Sequence, residues 1–157
     1  MQARIAPPPE MAASEPDLVG AWRLERWDIA YGDGRPATFP FGQDAIGLLM
    51  YTADGHMSAS IARAGRGRIA SESMRHAPID QKAAAFESYF SYAGGYSVRG
   101  GTVVHHVGMA LNQNLVGSDQ IRSMHFDRDT LTLSATDVLP GTTVSRLHRL
   151  LWRKVAA

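Results

Sequence analysis

A chain of 157 residues, 45% of them hydrophobic, is long enough for one domain with a real core. Its 16 Lys and Arg against 15 Asp and Glu leave a formal charge of +1. That near-balance, with Gly65-Arg66-Gly67-Arg68 as the only basic cluster, argues against a nucleic-acid partner, and the absence of cysteine excludes disulfides and thiolate chemistry.

Residues 1–16, MQARIAPPPEMAASEP, are Pro- and Ala-rich with little to bury, and read as a disordered leader ahead of a domain over 17–157. No run approaches the ~18 apolar residues of a membrane helix. The leader also lacks the apolar stretch of a secretory signal, so a soluble, cytoplasmic protein without a membrane partner is expected. LVGAWRLERWDIAY (18–31) reads as a long first strand ended by the turn Gly32-Asp33-Gly34. IGLLMYTADGHMSASI (46–61) is two apolar runs broken by Asp54-Gly55, a hairpin signal.

A polar, Gly-rich stretch follows and leads into IDQKAAAFESYFSY (79–92). Pro78, Asp80 and the spacing of Ala83, Ala84, Phe86 and Phe90 predict the chain's one helix there. The segment 64–90 interrupts a regular strand pattern and is expected to lie over one end of the fold as a gate. Five further strands are expected over 91–100, 101–111, 119–127, 130–139 and 143–154. Eight strands joined by short turns favour an all-β antiparallel meander. Closed into an up-and-down barrel, eight strands leave room for one small ligand.

Several pieces, in their order and spacing, resemble one family. They are Leu-Val-Gly-Ala-Trp at 18–22, GLLMYTADGHMS at 47–58, YAGGY at 92–96, VHHV at 104–107, NLVGSDQIR at 114–122, LTL at 131–133 and HRLLWR at 148–153. Over residues 18–154 the chain is similar to the bacterial and fungal lipocalin-like domain family. The resemblance implies an eight-stranded up-and-down lipocalin-like barrel with one helix in a long connection and a central pocket for a small, mostly apolar molecule. It does not imply one activity.

Strand alternation then sorts side chains. Over 103–111 the odd positions carry the bulk, which turns Val103, His105, Val107, Met109 and Leu111 inward and His106 outward; a register shifted by one exchanges the two histidines. Met124 and Phe126 take Arg122 inward with them. On the last strand Trp152 marks the inward side, together with His148. Tyr51 is also assigned inward, and Tyr96, after Gly94-Gly95, is placed near the mouth.

A site follows from these faces. An inward His offers a base near neutrality, a Tyr hydroxyl donates or accepts, and an Arg holds a carboxylate or a developing enolate. His105, Arg122 and Tyr51 are thus the candidate catalytic residues. Tyr96, His148, Met57, Met109, Met124, Phe126 and Trp152 are the candidate ligand contacts. Structural roles compete with each of these, because strand histidines and aromatics are commonly core. No cofactor or metal is expected: adjacent strand histidines face opposite ways, no His-x-His or Cys pattern occurs, and a site from His105, His148 and one acid is the remaining rival. Two functions stay open, a binder or carrier of a small hydrophobic molecule, and a cofactor-independent isomerase, cyclase or dehydratase acting on a polyketide-, terpenoid- or aromatic-like substrate. A homodimer is also left open.

Overall fold

In the computed structural model, residues 18–156 are described; the leader expected over residues 1–16 lies outside them. Eight strands follow one another as a meander: β1 (Gly20–Tyr31), β2 (Ile46–Tyr51), β3 (His56–Ala62), β4 (Tyr89–Arg99), β5 (Thr102–Ala110), β6 (Asp119–Asp127), β7 (Thr130–Val138) and β8 (Ser145–Lys154). Each pairs antiparallel with the next, and β8 pairs with β1, so the sheet closes into a barrel in sequence order. Closure leaves no unpaired strand edge. One α-helix, α1 (Ile79–Glu87), lies in the β3–β4 connection, as expected.

The helix is shorter than its sequence pattern suggests. Ser88 closes it, its Oγ donating to the Ala84 carbonyl at 2.7 Å, and β4 begins at Tyr89. Phe90, which continued the helical spacing, is therefore a strand residue. Aromatic Tyr89, Phe90 and Tyr92 fit a half-buried strand better than a helix end, and pairing with β3 decides the contest. No residue of α1 is buried.

The two ends of the barrel differ. At one end the hairpins are tight: 52–55 joins β2 to β3, Gly100-Gly101 joins β4 to β5, and Arg128-Asp129 joins β6 to β7. This end is plugged by the core. Leu18, Trp22, Tyr51, Met57, Val103, Leu131 and Trp152 are buried together there, with Trp22 donating its indole N–H to the Leu18 carbonyl at 2.9 Å. At the other end run the long connections 32–45, 63–88, 111–118 and 139–144. The cavity opens there.

Two irregularities change which side chains face in. Between β4 and β5, Ala93 pairs with Met109 but Gly94 pairs with Val107, so Gly108 is an extra residue on β5. The bulge shifts the alternation. Val103, His105 and Val107 face inward, but Met109 turns out and is 68% exposed, and Leu111 is exposed with it. The expectation that Met109 and Leu111 face the interior is thus corrected: it assumed an unbroken period of two. Gly94 is required here, because a Cβ on it would lie 1.9 Å from the His106 carbonyl oxygen. In β1 a similar shift between Leu24 and Arg26 keeps both Leu24 and Trp27 on the inner side.

Among the described residues no helix is long and apolar enough to cross a membrane. On the outer surface Asp28 is buried and held by Arg26 at 3.0 Å and by Arg149 from β8, an ion pair across the closing seam.

Candidate functional site: a cavity at the open end of the barrel

The cavity has a volume of about 410 Å³, within the range of small-ligand sites. Its depth is apolar and aromatic: Leu49, Ala59, Ile61, Leu133 and Leu150, with the rings of Trp27, Phe90, Tyr92 and Trp152. Phe90 meets Tyr92 edge to face at 5.4 Å and Trp27 at 6.3 Å, and Phe41 from the 32–45 connection packs on Trp27 at 5.2 Å. These contacts fix the aromatic wall before a ligand enters. Polar groups gather on one side, namely His105, Gln120, Arg122, Asp137 and His148.

His105 is the most buried polar group of the site, with 1% of its surface exposed. Alternation on β5 turns it inward, and tyrosines from β2 and β4 meet it from either side. The Tyr51 hydroxyl is 2.6 Å from Nε2 and the Tyr92 hydroxyl 2.6 Å from Nδ1. Burial, with help from the nearby Arg122 cation, pushes its pKa down to about 3, so the ring is neutral near pH 7. Burial likewise raises the pKa of both tyrosines, Tyr51 well above its ordinary value, and they remain phenols.

A neutral imidazole has one N–H and one acceptor nitrogen, so one tyrosine donates to the ring and the other accepts from it. Both hydroxyls are buried and bond only His105 among the described residues, but Tyr92 lines the cavity and Tyr51 does not, which favours the arrangement with the Tyr51 proton on Nε2. The Nδ1–H then donates to the Tyr92 oxygen. This leaves the Tyr92 proton free to point at the cavity, which Tyr92 lines.

Arg122 reaches the cavity from β6, as alternation with Met124 and Phe126 predicts. Its Nη1 donates to the Ile121 carbonyl at 2.8 Å and its Nη2 to Gln120 Oε1 at 3.3 Å. The carboxylates of the rim are engaged elsewhere. Asp137 is gripped by both ends of the Arg146 guanidinium and accepts from His148 Nε2 at 3.1 Å, and the Arg146 hydrogen bonds hold its pKa below the ordinary range. Asp119 pairs with His106 Nδ1 at 2.7 Å on the outer face.

Of the expected site residues, His105, Arg122, His148 and Trp152 line this cavity, and Tyr51 adjoins it through His105. The others do not meet it. Met57 is core, Met124 and Phe126 pack on the core with Phe126 beside Trp22 at 6.2 Å, and Met109 is outside. Tyr96 sits at the plugged end rather than the mouth, donating to the Thr52 carbonyl at 2.8 Å and packing edge-on to Tyr51. His106 faces outward, as expected, between Asp119 and Ser97.

Sequence reasoning missed Tyr92, Trp27, Phe90 and Asp137. The signal for two of them was present, since Phe90, Tyr92 and Tyr96 share one parity on β4; reading 79–92 as helix hid it. A metal centre at His105 is disfavoured by chemistry, because both ring nitrogens are occupied by tyrosines. Among the described residues no three of His, Asp and Glu converge as metal ligands. No residue of the 63–88 connection lines the cavity, although the connection leaves and rejoins the barrel at the open end.

The family described as "Lipocalin-like domain" matches residues 19–155. Among curated proteins, the chain is similar to a "4'-hydroxy-3'-methoxypropiophenone carrier protein" of Aspergillus oryzae, 28% identical over 107 residues that cover 63% of this chain and 96% of that protein. No solved structure matches the chain.

Proposed function

Because the chain belongs to the lipocalin-like domain family, whose barrel it builds, we propose that it binds and carries a small aromatic molecule bearing a carbonyl oxygen. The observation that supports this best is the Tyr51–His105–Tyr92 chain with Tyr92 in the cavity wall, which in the favoured tautomer leaves the Tyr92 hydroxyl free to donate. In a mostly apolar cavity one fixed donor orients a ligand, while the aromatic wall supplies affinity. The similar fungal protein carries an aryl ketone by its name, and an aryl ketone has the required acceptor and flat apolar body. On this reading His105 is a positioning residue that turns the Tyr92 proton inward. His148 and Trp152 are contacts at the rim and in the wall. Absence of cysteine suits a reducing compartment, and we place the protein in the cytoplasm.

The test is a titration with 4'-hydroxy-3'-methoxypropiophenone followed by tryptophan fluorescence and calorimetry. Trp27 and Trp152 stand in the wall, so binding should quench emission and saturate at one ligand per chain. Full emission with no heat, for this ketone and for smaller aryl ketones, overturns the reading.

A second reading, cofactor-independent isomerisation, cyclisation or dehydration, draws on the joint presence of Tyr92, His105 and Arg122 around one cavity. Tyr92 and Arg122 would polarise a carbonyl and hold the enolate formed when an α-proton leaves. His105 is a poor general base for that step, with its pKa pushed to about 3 and both nitrogens engaged. The carrier is therefore the stronger proposal. Deuterium exchange at the α-carbon of a bound ketone, faster with protein than with buffer and lost in Arg122→Gln, would favour the enzyme.

A further inference from the structure

Two tryptophan rings and the Tyr92 phenol stand in the depth of this cavity. Indole Nε1 of Trp27 and of Trp152 is buried without a hydrogen-bond partner among the described residues, and both rings line the cavity. With the Tyr51 proton on Nε2, the Tyr92 proton turns toward the cavity. The two rings offer a ligand flat apolar faces, and the Tyr92 hydroxyl is the polar group beside them.

Arg122 adds a full positive charge to the cavity. Its two hydrogen bonds go to neutral oxygens, and among the described residues no carboxylate pairs with it. The surrounding groups do not cancel the charge. Tyr51 from β2, Tyr92 from β4 and His105 from β5 are all neutral. Asp119 on β6 is turned to His106, and Asp137 on β7 is neutralised by Arg146 and His148 of β8.

Resting on the ligand-binding reading above, we propose that the cavity takes its ligand as an oxyanion: a hydroxyl conjugated to a carbonyl, ionised when bound, with the charge held at Arg122. In such an anion the negative charge is shared between the former hydroxyl oxygen and the carbonyl oxygen. One oxygen then meets the guanidinium and the other the Tyr92 hydroxyl. Charge-assisted bonds are about twice as strong as neutral ones, and stronger still away from water. A cation beside the hydroxyl lowers the hydroxyl's pKa. A neutral ether or simple ketone can accept from Tyr92 but leaves Arg122 without a counter-charge.

The experiment compares 4-hydroxyacetophenone, its methyl ether 4-methoxyacetophenone, and 4-methoxybenzoate, by absorbance and calorimetry between about pH 6 and 9. Bound 4-hydroxyacetophenone should show the red-shifted phenolate band at a pH where the free compound is still neutral, with its apparent pKa lowered by about one unit or more. Arg122→Gln should abolish that shift and weaken binding about tenfold, while the methyl ether's affinity hardly changes. If Arg122→Gln fails to fold, Arg122→Lys should keep part of the shift. A neutral-phenol spectrum in the complex, or methyl ether binding as tight as that of the hydroxy ketone, overturns the proposal and leaves the carrier reading standing. Binding of 4-methoxybenzoate alone overturns the conjugated hydroxyl in favour of a carboxylate. No binding by any of the three, in a protein whose melting curve is cooperative, defeats the ligand reading itself.

Discussion

Tyr92 stands between the cavity and His105, its hydroxyl 2.6 Å from Nδ1 and its ring in the cavity wall. Tyr92→Phe removes the proton offered to a ligand but keeps the ring. The variant should bind aryl ketones about tenfold more weakly, the loss of one neutral hydrogen bond of about 1 kcal/mol or slightly more. Its melting temperature should also fall, because the buried His105 Nδ1–H loses its acceptor at a cost of about 1 to 3 kcal/mol. Calorimetry with an aryl ketone checks this, and unchanged affinity would remove Tyr92 from the site.

His105 carries a different burden, since replacing it strands two buried phenols. His105→Ala should cost on the order of 2 to 4 kcal/mol of folding stability, from a cavity plus two unpaired hydroxyls. Urea melts measure it. His106→Ala, which disturbs only an exposed Ser97–His106–Asp119 contact, should stay within about 0.5 kcal/mol of the wild type and leave ligand affinity unchanged.

The pKa of His105 also sets a pH dependence. Because its folded-state value is depressed to about 3 from 6.5, the unfolded chain binds the extra proton first as pH falls. The stabilisation is complete above about pH 6.5 and is lost progressively toward pH 3. Between pH 6.5 and 5 the loss should be on the order of 1 to 2 kcal/mol. A His105→Gln variant has no proton to take up at this position and should show a flatter curve over the same interval, where few carboxylates titrate. Parallel slopes would show that another group governs acid stability.

Much of this architecture was legible in the sequence. Asp54-Gly55 marks a tight turn, and apolar alternation gave the faces of β6 and β8 and the inward turn of His105. What escaped were breaks in period. Nothing local distinguishes Gly108 as an extra residue, because a bulge exists only against a partner strand, and so Met109 was carried inward. Phe90 satisfied a helical spacing and a strand alternation equally well; pairing with Ile61 decided it. Tyr96 and Tyr92 could not be ranked as site residues without knowing which end of the barrel is plugged.

The bulge supplies its own test. Gly94→Ala would drive a methyl to within 1.9 Å of the His106 carbonyl oxygen, whereas a methyl on adjacent Gly95 would find its nearest neighbour at 3.6 Å. Gly94→Ala should therefore lower stability by about 3 kcal/mol or more, or force β4 and β5 into a new register. Gly95→Ala should be tolerated. Thermal melts of both variants make the comparison, and equal tolerance would mean that the pairing of Gly94 with Val107 is not the one adopted in solution.

The asymmetry of the barrel's ends also bears on how the chain folds and changes. Contacts between β2 and β3, β4 and β5, and β6 and β7 are local in sequence and converge on the plugged end, so three hairpins can form there with little loop-closure entropy. The seam between β1 and β8 joins the most distant parts of the chain, and the β3–β4 pairing spans the long 63–88 connection. The open end contributes least to that assembly, and its long connections are the places where insertions and substitutions cost least. Evolution can thus retune which molecule enters by rewriting the rim, while the half of the barrel that builds itself first is left alone.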